Sequence, residues 1–396
     1  MPNIPSGNVL VKPVEGHQER LAFLNLPWEL YKGDPNWVPP LRDHQWELLN
    51  YRHHPLYDVS KIQTFLAWRG DKPVGRIAAI LNVAHNEFQN EKRTFWGFFE
   101  SINDDEVSSA LFAAARQWGK EQGYPVLRGP CNPTQNYECG LLVDGFDSPP
   151  TFGLTYNPAY YVDLVEKAGF NKAQDLFAFW GYVEMLAAFD EKMKFVVDEA
   201  TSRFQLKVRP LNPKRFVEDV HIFLDIYNRS LGGTWGYSAL SKGEADCIAK
   251  SVKHLIVPEL TTIAEIDGRP VAACYGFLDY NPRIKKIDGR LFPFGFLQLM
   301  TNRKAIKRIR MISANVLPEY QRWGLGLVVL ARLIKPAIAW GLEECEFSWV
   351  LESNHLSWGS LKRGGAKLIK TFRIYDSLEA EEYDKANAKL AKVSAS

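Results

Sequence analysis

The sequence predicts an α/β (α+β) protein built from two tandem mixed β-sheet domains flanked by helices. The chain has 396 residues, which is longer than one ordinary hydrophobic core and indicates two domains of under about 200 residues each. Landmarks recur at an offset of 196 or 197 residues, in the pairs Pro13 and Pro210, Pro73 and Pro270, and Gly169 and Gly365. Three landmarks in order at nearly one offset indicate an internal duplication.

The two halves carry the same order of predicted elements: strand, helix, hairpin, strand, helix, strand, short helix and final strand. The hairpins are turn signals followed by small and β-branched residues. In the first half the expected elements are Val9–Pro13, Gln18–Tyr31, Arg69–Ile80, Arg93–Glu100, Asp104–Gln122 and Val126–Arg128. In the second half they are Leu206–Pro210, Phe216–Leu231, Ile266–Phe277, Arg308–Val316, Gly326–Gly341 and Glu344–Leu351.

A charged segment with apolar residues at helical spacing, Phe189–Arg203, is predicted to be a linking helix. We therefore expect a first domain over residues 1–185, a linker over 186–204 and a second domain over 205–396. The second domain carries an insertion, Asn281–Lys307, that contains the apolar run LFPFGFLQLM between basic stretches. This run either forms a wall for a long acyl chain or apolar acceptor, or fills the gap between the two domains.

Composition excludes several classes of protein. The net charge is +2, so no global field favours nucleic acid or membrane. The five cysteines form no CxxC pair and have no zinc spacing, which indicates reduced thiols and no metal site. Residues Met1–Val14 lack a signal-peptide pattern, and the longest apolar stretch, Leu291–Met300, is too short to span a bilayer. We expect a cytoplasmic protein with no membrane span.

The most informative string is Val316–Leu327, VLPEYQRWGLGL, which follows an apolar strand and opens a helix. Gly324 and Gly326 allow a ligand to approach the backbone closely. The first N–H groups of the following helix have no partner inside the helix, and with the helix dipole they suit a pyrophosphate. Arg322 adds a positive charge at the same place. The alternative is a tight strand-to-helix turn that binds nothing.

This string resembles the cofactor signature of the GCN5-related N-acetyltransferase (GNAT) superfamily, Q/R-x-x-G-x-G/A, which residues 321–326 match in full. The resemblance extends over the second half, where Asn354 stands in the position of a family asparagine. It implies that acetyl-CoA or a longer acyl-CoA lies between splayed fourth and fifth strands, with its pyrophosphate on the backbone of residues 322–327. The implied cofactor-binding residues are Val316, Gln321, Arg322, Trp323, Gly324, Leu325, Gly326, Leu327 and Asn354.

The candidate catalytic residues are Glu352, Asn315 and Tyr375. Glu352 follows the predicted strand that ends at Leu351 and is a candidate general base, although it is equally read as a solvated or capping carboxylate. Asn315 marks a bulge that splays the sheet or is a plain strand residue. The family's frequent tyrosine acid is replaced by Leu361. Tyr375 and Tyr320 are the candidate replacements, with packed aromatic side chains as the alternative.

The first half keeps the layout without the signature. Where a phosphate-binding loop belongs, three acids follow Asn103, which would repel pyrophosphate, and Asp104 or Asn103 reads as a helix cap. We therefore expect a degenerate first domain that does not bind CoA. The polar stretch Gly129–Phe146 either binds a ligand or packs the two domains together. It resembles a stretch of bacterial tandem GNAT-like proteins of unassigned role.

Three functions remain open from the sequence. The first is transfer of an acyl group from acyl-CoA to a small-molecule amine by direct attack, because no cysteine lies in the signature region. The second is a non-catalytic module that binds acyl-CoA or acts as a scaffold. The third is aminoacyl or peptidyl transfer from an RNA-borne donor, which the near-neutral charge disfavours. We expect no nucleic-acid partner, and an oligomer is left open.

Overall fold

The computed structural model describes residues 7–187 and 191–385. The chain divides into two compact units. The first comprises residues 1–175, 288–291 and 371–396, and the second comprises residues 176–287 and 292–370. The first unit therefore includes two short segments from the second half of the chain, and the second unit begins within the predicted first domain, at residue 176. This division does not test the predicted domain limits at residues 185 and 205, which stay a prediction.

The first unit is a mixed sheet covered by helices. Its elements in chain order are β1 Val9–Pro13, α1 His17–Leu30, α2 Arg42–Leu48, β2 Lys61–Arg69, β3 Lys72–Leu81, α3 Val83–Gln89, β4 Arg93–Ser101, α4 Asp105–Glu121, β5 Val126–Gly129, β6 Cys131–Asn132, β7 Glu138–Cys139, β8 Leu141–Asp144 and α5 Tyr160–Lys167. The next strand, β9 Phe170–Tyr182, begins in this unit and continues into the second after Asp175.

The second unit repeats this plan. Its elements are the end of β9, α6 Val183–Ala187, α7 Glu191–Phe204, β10 Lys207–Arg209, α8 Phe216–Ser230, α9 Lys242–Val252, β11 Thr261–Ile266, β12 Arg269–Leu278, α10 Asn281–Lys286, α11 Gly295–Met300, β13 Arg308–Val316, α12 Leu325–Trp340, β14 Glu344–Leu351 and α13 His355–Arg363. The last strand, β15 Lys367–Ser377, begins in this unit and ends in the first.

The strand order is the same in both sheets. In the first unit it is β1-β2-β3-β4-β5 followed by the end of β15, and in the second it is β10-β11-β12-β13-β14 followed by the end of β9. All neighbours are antiparallel except β4 with β5 and β13 with β14, which are parallel. The sixth strand of the first sheet is therefore the end of β15, which begins in the second unit. The sixth strand of the second sheet is the end of β9, which begins in the first unit.

The predicted fold class is confirmed, and most predicted elements are found within one or two residues. Both hairpins form, with β2 and β3 joined at Gly70 and β11 and β12 joined at Gly268. The predicted linking helix corresponds to α7, and the first two residues of that prediction, Phe189 and Asp190, lie outside the described residues. Among the described residues, no helix is both long and apolar enough to cross a membrane.

Candidate active site

The parallel strands β13 and β14 of the second unit separate along their length. They pair only from Arg308 opposite Glu344 to Met311 opposite Phe347. Beyond that point β13 stays paired with β12, and β14 stays paired with β9. The backbone edges of residues 312–316 and 348–351 therefore diverge and form a fork. Such a fork offers main-chain groups to an extended ligand that lies between the strands.

A bulge in β13 starts the fork. Tyr275 of β12 lies opposite Ser313, and Gly276 lies opposite Met311, so Ile312 has no residue opposite it. An extra residue of this kind bends the strand and leaves its own backbone group out of the ladder. The bulge is thus three residues before Asn315, the residue that the sequence suggested as its marker. The backbone of Ile312 therefore lies outside the ladder between β12 and β13, next to the point where β13 and β14 separate.

The signature string forms the turn at the open end of β13. Residues Pro318–Trp323 make a 3₁₀ turn, and α12 follows directly. Gly324 has a φ of +77°, and a Cβ there would lie 2.5 Å from Cγ1 of Val196, so glycine is required. A Cβ at Gly326 would lie 3.8 Å from Cγ2 of Val316, which is ordinary contact. Gly326 therefore leaves open space rather than relieving a clash.

The N-terminus of α12 is available to an anion. Within the described residues, no side chain caps this helix. Leu327 donates its N–H to the carbonyl of Gly324, whereas the N–H groups of the first two helical residues have no acceptor within a helix. The side chain of Gln321 braces the turn instead of reaching outward, because its Nε2 donates to the carbonyls of Val316 and Ser230, each at 3.2 Å. The donors and the helix dipole suit a pyrophosphate.

Exposed basic and aromatic side chains surround this turn. Arg322 is exposed. Trp323 is 43% exposed, and the guanidinium of Arg203 lies 4.0 Å from the centre of its ring. Phe204 contacts the rings of Trp323 and Tyr320 edge-on. The two arginines give the mouth of the turn a positive charge, which adds to the attraction of the helix dipole for an anion.

Asn315 lies on the opposite side of β13 from α12 and is buried. Its Oδ1 accepts hydrogen bonds from Ser313 Oγ at 2.8 Å and from Ser230 Oγ at 3.2 Å. Its Nδ2 is also buried and has no hydrogen-bond partner within the described parts of the chain. A buried donor without a partner costs about 1–3 kcal/mol. Asn315 is therefore a buried donor on β13 whose hydrogen-bonding capacity is not used within the described parts of the chain.

A buried polar network at the base of the fork was missed by the sequence reasoning. Arg310 Nε donates to Ser348 Oγ at 2.8 Å, and Ser348 Oγ donates to Glu346 Oε1, also at 2.8 Å. Arg310 and Glu346 are both buried and are cross-strand partners. The signal for this network is present in the sequence, since β13 begins with arginines at 308 and 310 and β14 begins with glutamates at 344 and 346. The network fixes the side-chain positions where the strands begin to separate.

Glu352 and Asn354 lie in the short connection between β14 and α13. Glu352 is half-buried, and its backbone carbonyl accepts a hydrogen bond from Trp358 Nε1 at 3.0 Å. Asn354 caps α13, because its Oδ1 accepts from the N–H of Ser357 at 3.1 Å. His355 packs edge-on against Trp358. Glu352 thus lies directly after the strand that forms one side of the fork. The side-chain oxygen of Asn354, in contrast, caps the N-terminus of α13.

Tyr375 is not brought to the fork region of β13 and β14. It lies in the part of β15 that belongs to the first unit, where its ring is fully buried in the apolar core. Its hydroxyl donates to Glu166 at 3.2 Å, and burial raises the pKa of that hydroxyl above its ordinary value. The sequence placed it on the last strand correctly. What sequence reasoning did not foresee is that the end of this strand joins the other unit.

The cysteines nearest the fork are not suited to nucleophilic catalysis. Cys274 on β12 and Cys345 on β14 are buried. Burial raises the pKa of both thiols, so neither forms the thiolate that would attack a thioester.

Comparison with known proteins shows which family the chain belongs to. No protein-family model matches the chain. The chain is 32% identical over 382 residues to protein YghO of Escherichia coli (strain K12), covering 95% of this chain and 97% of that protein. The chain belongs to the family of YghO. A second relative, the bacterial ceramide synthase of Caulobacter vibrioides, is 30% identical over 382 residues, covering 94% of this chain and 98% of that protein.

Solved structures show that the chain has the tandem GNAT fold. A tandem GNAT protein from the clavulanic acid biosynthesis pathway superposes with a TM-score of 0.53 at 11% identity, over 93% of this chain and 98% of that one. A GCN5-related N-acetyltransferase from Sphaerobacter thermophilus superposes with a TM-score of 0.52 at 12% identity, over 94% and 96% of the two chains. The suggested GNAT resemblance is therefore confirmed at the level of the fold.

The first unit of this family member has a fork as well. Strands β4 and β5 pair only from Arg93 opposite Val126 to Phe95 opposite Arg128. The register between β3 and β4 then shifts, and Phe98 takes a φ of +50°. The first unit thus repeats both the bulge and the divergence of the second. The two units differ in the residues that lie beside the bulge.

The chain itself occupies the bulge of the first unit. The N–H of Phe98 donates to Oδ1 of Asn132 at 2.6 Å. A Cβ at Gly97 would lie 1.8 Å from the carbonyl oxygen of Cys131, so β6 presses directly against β4. Asp104 caps α4 by accepting from the N–H groups of Glu106 and Val107, as the sequence predicted. The polar stretch after β5 therefore fills the space beside the bulge in β4.

Proposed function

We propose that the chain is an acyltransferase that moves an acyl group from acyl-CoA to an amine in its second unit. The observation that carries this proposal is the fork between β13 and β14, which opens beside the uncapped N-terminus of α12. The bulge at Ile312, the space at Gly326 and the exposed Arg322 fit one extended, anionic ligand. The first unit lacks this combination, because Asn132 and Asp104 occupy the equivalent donors.

Each part of the site would bind a different part of acyl-CoA. The N–H groups at the start of α12, with Arg322 beside them, hold the pyrophosphate. The diverging edges of β13 and β14 hold the pantetheine arm through backbone hydrogen bonds. The backbone N–H at Ile312 donates to the thioester carbonyl and stabilises the negative charge that develops on its oxygen during attack. Bound acyl-CoA supplies an activated acyl group and a thiolate that leaves readily.

The acceptor would approach from the side of the sheet that carries Asn315. The unpartnered Nδ2 of Asn315 donates to a polar group of the acceptor and orients it. Glu352 accepts a proton from the acceptor ammonium, because only the free amine attacks. The nitrogen forms an amide bond to the acyl carbon, the carbon–sulfur bond breaks, and the second proton that the nitrogen loses passes to the departing thiolate, which leaves as CoA thiol. No acyl-enzyme is needed, which fits the raised pKa of Cys274 and Cys345.

The ceramide synthase relative supports an amine acceptor. A ceramide is an amide of a fatty acid with a long-chain amino alcohol, so its synthesis joins an acyl group to nitrogen. The chain aligns with that relative over 94% of its length. We propose that the acceptor here is likewise a small molecule with a primary amine and that the donor is a long-chain acyl-CoA.

An acyl-transfer assay tests this function. The full chain is incubated with palmitoyl-CoA or acetyl-CoA and a long-chain amino alcohol, and released CoA thiol and the amide product are measured. We expect equal amounts of thiol and amide, with palmitoyl-CoA the better donor. If CoA binds but no amine yields an amide, the protein is a non-catalytic acyl-CoA-binding module.

A further inference from the structure

The insertion before β13 displays large apolar side chains to solvent. Phe292 is 74% exposed, Phe294 is 70% exposed and Leu297 is 57% exposed, and Phe296 is exposed as well. They lie within six consecutive residues of the second unit. Contiguous exposed apolar groups of this size mark a surface that is covered by a partner. We call these four side chains the apolar tip.

The apolar tip is held in a defined conformation. Arg283 of α10 donates through Nη1 to the carbonyl of Leu299 at 2.9 Å and through Nη2 to the carbonyl of Asn302 at 2.7 Å. The side chain of Leu299 is buried, so α11 is anchored on one side while its other side is exposed. Phe296 packs edge-on against His254. The exposure of the apolar tip is therefore part of the folded structure.

Positive charges predominate in the insertion that carries the apolar tip. Residues 281–307 contain seven basic residues and one acidic residue, Asp288, which forms ion pairs with Arg42 at 3.1 Å and Arg290 at 3.7 Å. The basic residues are Arg283, Lys285, Lys286, Arg290, Arg303, Lys304 and Lys307. Lys285, Lys286 and Lys304 are exposed. Lys307 differs from these three lysines because it forms an ion pair with Glu343 at 3.5 Å. Whatever covers the tip is therefore expected to be apolar and bordered by negative charge.

We propose that the apolar tip and its flanking lysines bind the surface of a membrane that carries anionic lipid headgroups. The phenylalanine rings and Leu297 enter the boundary between headgroups and acyl chains, and the lysines remain at the level of the phosphates. This mode needs no membrane-crossing helix. It would bring the second unit to the place where long-chain molecules concentrate. The proposal holds whether or not the protein transfers acyl groups.

Vesicle sedimentation of the full chain tests this proposal. We expect the protein to sediment with vesicles of phosphatidylcholine and phosphatidylglycerol and much less with phosphatidylcholine alone. Phe292→Ser combined with Phe294→Ser is expected to weaken binding roughly tenfold or more, because two apolar groups no longer leave water. Lys285→Gln, Lys286→Gln and Lys304→Gln together are expected to weaken it about 100-fold, since each charge contributes about fivefold near an anionic surface.

The matched control is the double variant Val59→Ser and Phe88→Ser, which removes two apolar side chains of the first unit that are 62% and 50% exposed. It should bind vesicles as the wild type does. The proposal is overturned if the wild type does not sediment with anionic vesicles. It is equally overturned if the phenylalanine and lysine variants bind these vesicles as tightly as the wild type. It is also overturned if ultracentrifugation shows a dimer that the phenylalanine variant dissociates, because a second copy then covers the tip. Thermal shift with CoA, unchanged in every variant, separates this result from a failure of acyl transfer.

Discussion

Gly326→Glu is expected to abolish CoA binding and leave the fold intact. The added side chain finds room, because a Cβ at this position makes only ordinary contact with Val316. An acidic residue in the first turn of a helix is also stabilised by the helix dipole, so the added glutamate should not destabilise α12. The same charge beside a bound pyrophosphate is repelled by about 4 kcal/mol at about 4 Å and an effective dielectric constant near 20, or roughly 1000-fold in affinity. Isothermal titration with CoA measures the loss.

The control for this variant is Gly326→Gln, which has nearly the same size without the charge. It should lose far less affinity, and both variants should unfold at a temperature close to that of the wild type. A glutamate variant that binds CoA with unchanged affinity would contradict the placement of the pyrophosphate at α12. A glutamine variant that loses as much as the glutamate variant would show that space, and not charge, decides binding.

Glu352→Gln is expected to lower kcat by about 10²–10⁴-fold, the range typical of a lost general base. The dissociation constant for acyl-CoA should change little, because Glu352 follows β14 and is not part of the turn before α12. Steady-state kinetics measures the loss in kcat, and a separate titration with acyl-CoA measures the dissociation constant.

Glu343→Gln is the matched control for this prediction. Glu343 immediately precedes β14 at its other end, has a side chain that is 66% exposed, and pairs with Lys307. Its variant should turn over as the wild type does, since exposed ion pairs contribute little. Wild-type turnover in the Glu352 variant would remove this residue from the mechanism. Arg310, Ser348 and Glu346 would then be the polar groups of the fork to examine next.

Local sequence signals were sufficient to predict the turn before α12 and the strands on either side of the fork. The turn before α12 was predicted because proline, two glycines and an adjacent arginine act within a few residues of one another. The fourth and fifth strands, β13 and β14, were predicted with the bounds that the structure shows. Apolar periodicity and turn chemistry are local properties, and they survive in a single sequence.

Features that depend on distant residues were not predictable in this way. The exchange of strand ends moves Tyr375 into the first unit, because its backbone pairs with Gly129 far along the chain. Asn132 reads as one polar residue among many until the fold brings its side chain to the N–H of Phe98. Arg310 and Glu346 could be noticed only as charged residues in apolar strands. Their neighbours in space, and not their types, determine what they do.

The most direct test of the central claim is the thermal stability of the full chain with and without CoA, acetyl-CoA and palmitoyl-CoA. A ligand at about a hundred times its dissociation constant stabilises the folded state by about 2.7 kcal/mol, which shifts the unfolding temperature measurably. We predict a shift with all three ligands in the wild type and none with CoA in the Gly326→Glu variant. No shift with any of them in the wild type would contradict an acyl-CoA site in the second unit.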